Sequence, residues 1–502
     1  MIEIMDTTLR DGEQTSGVSF SASEKLSIVR LLIEELKVDR VEIASARVSN
    51  GEYNSVSRIA GWAKKQGHIH QLEVLGFVDG DSSLNWIKNA GCEVMNLLCK
   101  GSLKHCTEQL RKTPETHIAD ILKSLEYADK MGIEVNIYLE DWSNGMIDSP
   151  DYVFHMIDNL KNKNIRRFML PDTLGVLNPE NTMKYCRRMQ EHYPDIHFDF
   201  HAHNDYDLAV GNVFAAALAG IKGFHTTING LGERAGNTPM TSVIAVLHDQ
   251  LKLKTNIVEK NLYKVSRMVS SYSGIRIPNN KPVTGDSVFT QCAGIHADGD
   301  NKNNLYFNDL LPERFGRTRE YALGKVSGKA NIIKNLESLG IDLDKESMMK
   351  VTKRVIELGD KKEVVTQDDL PYIIADVLHN ENIDRIKLVN YSLSLTHGLR
   401  PTATVRIDIE GDEYEWTAAG DGQYHAFSKA LWKIYNKLGK PIPTLTDYNV
   451  SIPAGGRTDA LVQTVISWSF NGNDFKTSGL DVDQTGAAIK ATMKMLNMIE
   501  NM

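Results

Sequence analysis

The chain has 502 residues, of which 41% are hydrophobic and 24% charged, a balance that builds sizeable cores and excludes a disordered polymer. Its net charge of −8, with no block of five like charges, argues against a nucleic-acid-binding arm or a polybasic membrane patch. Five cysteines without a CxxC pair, a start (Met1–Asp6) that lacks a basic region and an apolar core, and no apolar stretch near about 20 residues point to a cytoplasmic protein with reduced thiols.

From residue 1 to about 250, short apolar runs alternate with amphipathic helical patterns. The expected strands are Ile2–Thr7, Val38–Ala44, Leu72–Phe77, Val94–Leu98, Val135–Leu139, Arg167–Leu170, His197–Phe200 and Phe224–Ile228. Between the first two lies a helix, Glu24–Leu36, with Leu26, Val29, Leu32, Ile33 and Leu36 on its apolar face and a capping box at Ser21–Glu24. Strand–helix alternation repeated eight times predicts a (β/α)8 TIM barrel. A doubly wound open sheet is the alternative, weakened because no glycine-rich fingerprint follows the first strand. In a barrel, working groups stand at the C-terminal strand ends. Arg10 and Asp11 follow strand 1, Glu140 strand 5 and Thr173 strand 6; His201 and His203 end strand 7, and Asn229 and Asn237 lie at and beyond strand 8.

Residues 251–375 read as helical linker subdomains that complete the active site. Strand runs disappear there, and helices such as Met348–Leu358 dominate. A polar stretch, Gly294–Gly299, precedes Asn304-Leu305-Tyr306. Residues 376–502 return to strands. Ala403–Ile409 and Tyr414–Trp416 lead into a helix at Gly422–Leu438; Asp447–Ile452 and Val462–Phe470 lead into one at Thr485–Met498. This is a βββα unit written twice, predicting a small α+β domain.

The most informative pairing is Thr8–Gln14 with His201–Asp205. Residues two apart on an extended segment share a face, so His201 and His203 can join Asp11 around one divalent cation and leave positions free for a substrate. The bland alternative is a capping Asp and two structural histidines. For Glu140 the choice is between a catalytic and a solvated carboxylate. The Gly230–Asn237 segment suits a loop beside a ligand, or a plain turn. Lys325–Ala330 fails as a phosphate loop: Leu323 stands where a glycine is needed and no strand precedes it. Gly455–Asp459 reads as a turn or effector loop, and His225 among other scattered histidines as structural.

Thr8–Gln14, His201–Asp205, Gly230–Pro239 and Gly294–Gly299 together resemble the α-isopropylmalate synthase family, whose members condense acetyl-CoA with 2-oxo acids. The resemblance covers essentially the whole chain. Within the family it is strongest to bacterial (R)-citramalate synthases, through Val41–Ser49, Tyr138–Gly145 and Pro312–Arg317. It implies a metal-dependent Claisen condensation by a homodimer with shared active sites and amino-acid feedback. By resemblance, Asp11, His201 and His203 hold a divalent cation (Mn, Mg, Co or Zn) with Asn237 at or near it, and Arg10 stabilises the developing alkoxide. The base is Glu140 or His296, the latter oriented by Asp298. Tyr306 assists as an acid, Asn304 and Leu305 contact acetyl-CoA, and Thr173 belongs to the substrate-binding set. Leu75, Leu98 and Tyr138 bound the oxo-acid pocket; three bulky side chains suit the methyl group of pyruvate. Tyr424, Tyr448 and Ile452 contact a branched aliphatic amino-acid effector, isoleucine or leucine. His425 stands where related sequences often have Asp. The expected function is (R)-citramalate synthesis for isoleucine. The alternatives are a 2-isopropylmalate synthase, an aldol-type metal lyase and a non-catalytic amino-acid sensor.

Overall fold

A closed barrel of eight parallel strands occupies the first half of the chain. The computed structural model describes residues 1–360, 365, 367–378, 385–451 and 462–500. The barrel strands are β1 (Glu3–Asp6), β2 (Arg40–Ser45), β3 (Leu72–Phe77), β4 (Val94–Lys100), β5 (Glu134–Glu140), β6 (Phe168–Asp172), β7 (Phe198–Ala202) and β8 (Gly223–Thr226). Every expected barrel strand is present, and β1 pairs with β8 from Glu3↔Gly223 to Asp6↔Thr226, which excludes the open sheet. Burial on both faces explains why these strands read as apolar runs rather than as alternating ones. The expected first helix also forms: Ala22–Arg30 continues as a π-helix to Leu36, and Ser21 and Glu24 make the reciprocal capping box.

The barrel interior is not wholly apolar. Arg40 on β2 donates to Glu73 on β3 (3.0 Å) and reaches across to Asp199 on β7 (2.5 Å). Because β2 and β7 are not neighbours, this pair spans the lumen. Gly223 is required beside it, since a Cβ there would strike the Asp199 carboxylate. Further along the strands, Met5, Leu75, Tyr138 and Met169 form a separate apolar cluster, with Leu98 packed against it.

The chain forms two compact units: Met1–Phe289 with Asn308–Thr318, and Thr290–Phe307 with Arg319–Met502. The second unit corrects the expectation of a strand-free region. Two short strands, β9 (Thr290–Gln291) and β10 (Glu320–Tyr321), pair in parallel. Two residues are too few for a readable alternation; buried Asn331 instead secures the pair, donating Nδ2 to the carbonyls of Gln291, Cys292 and Ala322 at 3.1–3.3 Å. The helix expected at Met348–Leu358 runs from Lys345 to Asp360.

The doubled βββα pattern is present. Antiparallel β11 (Ile386–Ser394), β12 (Thr402–Ile409) and β13 (Asp412–Ala419) precede the helix Gln423–Lys437. Then β14 (Thr444–Ser451), β15 (Val462–Phe470) and β16 (Asn473–Asp481) precede the helix Gln484–Glu500. Both helices contribute to one core, which includes Phe427, Leu431, Trp468 and Met495. Among the described residues, no helix is long and apolar enough to cross a membrane.

Candidate active site

Asp11 sits in the turn after β1, His201 within β7 and His203 just past its end. All three are buried, and their ligand atoms lie within 4.8 Å of one another. His201 Nε2 stands 3.2 Å from Asp11 Oδ2 and 3.3 Å from His203 Nε2; the His203–Asp11 separation is 3.9 Å. Ligand atoms about 2.1 Å from a common cation and about 90–110° apart stand about 3.0–3.5 Å from each other. Two of the three separations meet that already. Both Asp11 carboxylate oxygens and Asn237 Oδ1 are buried without a hydrogen-bond partner. Buried acceptors left unpaired are costly, and this mixed oxygen and imidazole set suits a divalent cation.

The protonation states favour ligation. Burial would raise the Asp11 carboxyl, but Arg10 and His201 hold it well below the usual carboxylate range. Burial, reinforced by His201, lowers the His203 imidazole to about 4, and burial lowers that of His201 as well. At neutral pH the site therefore holds a carboxylate and two neutral imidazoles.

Arg10 is fixed from behind. Its Nε donates to Glu42 Oε2 at 2.6 Å, and its Nη1 stands 3.3 Å from Asp11. Glu42 is itself locked, accepting from Thr7 Oγ1 (2.7 Å) and from Asn96 Nδ2 (2.8 Å), and Asn96 accepts from Asn136. Arg10 Nη2 is left buried with no partner. It is a cationic donor beside the triad, held for an anionic or carbonyl oxygen. The Tyr138 ring lies 5.8 Å from both the Arg10 guanidinium and the His201 ring, so the apolar cluster of Met5, Leu75, Tyr138 and Met169 abuts the triad.

Asn237 reaches the site through the Gly230–Asn237 segment, where it forms a bridge with His203. The glycines there are sterically required: a Cβ on Gly232 would strike the Asn237 amide, and one on Gly236 the Gly230 carbonyl. Glu140 ends β5 and pairs with Lys100, its register partner on β4. Thr173 Oγ1 accepts from Asp141 N–H at 2.9 Å, leaving its own proton to donate.

The remaining candidates belong to the second unit. His296 lies on the helix Gly294–Asn301 with its ring 4.3 Å from that of Tyr306. Gly299 makes room for the Tyr306 ring, which a Cβ would strike. Asp298 departs from expectation. Its carboxylate takes the Lys302 ammonium at 2.6 Å, one helical turn on, and among the described residues no hydrogen bond joins it to His296. Asn304 and Leu305 are exposed. The Tyr424 and Tyr448 rings lie 5.5 Å apart, and Tyr424 hydrogen-bonds Thr492 at 2.8 Å. Ile452 and Gly455–Asp459 lie outside the described residues.

A family model described as HMGL-like matches residues 1–269. The chain belongs to the HMGL-like family. Beyond the barrel of this HMGL-like chain, a homocitrate synthase post-HMGL domain-like model matches residues 283–363, and a LeuA allosteric (dimerisation) domain model matches 364–500. The chain is similar to (R)-citramalate synthase CimA of Methanocaldococcus jannaschii, at 32% identity over 510 residues and the full length of both. It is also 32% identical to the putative (R)-citramalate synthase CimA of Methanopyrus kandleri (92% of this chain, 88% of the relative). It is equally 32% identical to the 2-isopropylmalate synthase of Methanocaldococcus jannaschii (99% and 94%).

Sequence reasoning missed several residues of this HMGL-like site. Glu42, Asn96 and Asn136 were legible only as lone polar residues inside apolar strand runs, a pattern that in a barrel marks the lumen. Lys100 was legible as a cation ending β4. Met5 and Met169 carried no signal, because a methionine in a strand reads as ordinary core.

Proposed function

We propose that this protein is an acyltransferase that condenses acetyl-CoA with pyruvate, releasing (R)-citramalate and CoA, in branched-chain amino-acid synthesis. The observation that carries the reading is the joining of two features. The Asp11–His201–His203 cluster and the unpartnered Arg10 Nη2 abut a small apolar cluster containing Leu75, Leu98 and Tyr138. A pocket of that character suits a methyl group and offers no cation for a second carboxylate.

When bound, a divalent cation on Asp11, His201 and His203, with Asn237 beside it, would polarise the keto group of the oxo acid. The chain's own side chains account for the rest. Arg10, held by Glu42, directs its free Nη2 at the oxygen that gains charge. Leu75, Leu98 and Tyr138 enclose the oxo acid's methyl group. Thr173 donates a hydroxyl proton to its carboxylate. One of two groups, Glu140 or His296, takes the methyl proton of the acetyl thioester, and the carbanion forms the new carbon–carbon bond to the keto carbon. Lys100 holds Glu140 in place, and Tyr306 against His296 supplies a proton. Water then cleaves the thioester, giving the free acid and CoA.

A homodimer with shared active sites is part of this reading, supported by the match to the LeuA allosteric (dimerisation) domain. So is feedback by isoleucine through residues 376–502, with Tyr424 and Tyr448 as its contacts. The five free cysteines support a cytoplasmic setting. One second reading has a specific observation behind it: 2-isopropylmalate synthesis, since a relative of that name is also 32% identical, over 99% of this chain. Thiol release from acetyl-CoA, measured with pyruvate, with 2-oxoisovalerate and without any oxo acid, tests the proposal. Pyruvate-dependent release supports it. Release with 2-oxoisovalerate alone supports the second reading, and no release with either would mean a lyase or a sensor.

A further inference from the structure

The segment from Asn279 to Gly285, in the first unit, is held more tightly than a connecting loop needs. Gly285 N–H donates to Lys281 O at 2.8 Å, Thr284 N–H to Pro282 O at 2.8 Å, and Ser287 N–H to Asn279 O at 2.9 Å. Val283 has φ +68°. A β-branched residue seldom adopts that conformation, which is strained and persists only where its surroundings enforce it. Arg317 supplies the enforcement. Its guanidinium donates to the carbonyls of Val283 (3.1 Å), Gly285 (2.5 Å) and Asp286 (3.0 Å). It is stacked on Tyr263 at 4.5 Å and Phe289 at 5.1 Å. Gly285 cannot carry a side chain, because a Cβ would strike the Asn279 carbonyl.

What this construction presents is Lys281. Its ammonium stands 3.8 Å from where a Cβ on Gly230 would be. Gly230 O accepts from Asn237 N–H at 3.1 Å, and Asn237 bridges to His203. The Lys281 amine thus stands against Gly230, at the start of the segment whose other end, Asn237, meets the candidate metal cluster. Lys281 is half-buried, and among the described residues no ion pair or hydrogen bond engages its ammonium. Asp207, in the turn after β7, is the carboxylate whose charge it feels, and Asn204 already occupies one Asp207 oxygen at 3.0 Å. Burial lowers the basicity of the amine. A strained, clamped loop that holds an unpaired, part-desolvated ammonium at the C-terminal mouth of a barrel is arranged for an anion.

We propose that Lys281 is an anion-binding residue at the barrel mouth, taking a carboxylate or phosphate oxygen of one of the two substrates. This rests on the proposed function. The oxygen comes either from the 2-oxo acid or from the CoA portion of the thioester.

The test is steady-state kinetics of the full-length Lys281→Met and Lys281→Arg enzymes, varying each substrate in turn. Loss of one charge-assisted hydrogen bond is expected to raise one KM by roughly ten- to a hundredfold. The expected change in kcat is below about threefold, because the contact is made equally in the ground and transition states. The Arg variant should recover part of the loss. A raised KM for the oxo acid alone assigns its carboxylate; a raised KM for acetyl-CoA alone assigns the phosphates. Should the Met enzyme melt below the wild type, Lys281→Gln is measured in the same way. Wild-type turnover with both KM values unchanged within twofold in Met or Gln overturns this proposal and leaves the function standing. A wild-type enzyme that releases no CoA overturns the function itself, and the proposal with it.

Discussion

His201 and His203 hold their Nε2 atoms 3.3 Å apart, with Asp11 Oδ2 3.2 Å from the first. A single shared proton would join the two imidazoles but leave Asp11 Oδ1, buried and without a hydrogen-bond partner, unsatisfied. A cation satisfies all three side chains at once. His203→Ala should therefore reduce condensation by more than roughly a hundredfold, while the melting temperature stays within a few degrees of the wild type. Calorimetric titration with Mn²⁺ should show weakened binding in the variant. Near-normal turnover of the variant after chelation and metal add-back would remove His203 from the ligand set.

Glu42 is the second carboxylate on which Arg10 depends, through a 2.6 Å contact inside the lumen. Burial favours its neutral form, but Arg10, Asn96 and Thr7 outweigh this and hold its pKa low. Replacing Glu42 with Gln keeps the shape and removes the charge. The buried guanidinium then turns toward Asp11, its other acidic neighbour. The expected outcome is a fall in kcat of roughly ten- to a hundredfold, together with a stability loss of about 3 kcal/mol. Chemical denaturation and initial rates measure the two effects separately. Unchanged kcat in a folded variant would show that Arg10 does not need this anchor.

The return of residues 308–318 to the first unit rests on Glu259. Its carboxylate accepts from His248 at 2.9 Å and, in a bidentate contact, from Arg314 Nη2 and Nε at 2.7 and 3.1 Å. Burial alone would raise its pKa, but His248 and Arg314 bring it down to about 2. The folded value lies below the unfolded one, so the stabilisation is fully present above about pH 4.5 and is lost as pH falls toward 2. Part of the side chain meets solvent, which screens the pair, so the contribution is about 1–2 kcal/mol. Glu259→Gln should lower stability by that amount at pH 7 and flatten the acid limb of the stability curve between pH 4.5 and 2. Parallel acid limbs in wild type and variant would assign the effect elsewhere.

How much of this was legible in the sequence depended on whether a signal was local. The eight barrel strands were readable because each is a compact apolar run, and His201-Ala202-His203 because a two-residue spacing carries its own geometry. The strand Ile386–Ser394 was missed because most of its side chains face solvent, so no apolar alternation marks it. Asn473–Asp481 was missed because it is polar and contains Gly479, which is required where a Cβ would strike the Ala487 carbonyl. The Arg10–Glu42 pair joins residues on different strands, and the chain order alone does not match them. The resemblance puts Asp298 beside His296, whereas its observed ion pair is with Lys302, four positions on, a spacing that brings side chains together on a helix.

Tyr424 and Tyr448 come together from the two halves of the βββα repeat. If they form part of the effector site, isoleucine should inhibit the wild-type enzyme, and Tyr448→Ala should raise the half-inhibitory concentration at least about tenfold. That factor corresponds to one lost aromatic contact of about 1.4 kcal/mol. Deleting residues 376–502 should abolish the inhibition. A full-length enzyme whose rate responds to neither isoleucine nor leucine would contradict the regulatory reading.

On the proposed function, the cluster of Leu75, Tyr138, Met5 and Met169, with Leu98, encloses a methyl group rather than an isopropyl group. Differences of a methylene or two are worth about 1–3 kcal/mol each, or roughly 10–200-fold. The measurement is kcat/KM for pyruvate and for 2-oxoisovalerate on one preparation, followed by CoA-thiol release. The predicted result is a preference for pyruvate of at least about tenfold, narrowed in Leu75→Ala, where the cluster is opened. A wild-type preference for 2-oxoisovalerate would contradict it and make this chain a 2-isopropylmalate synthase.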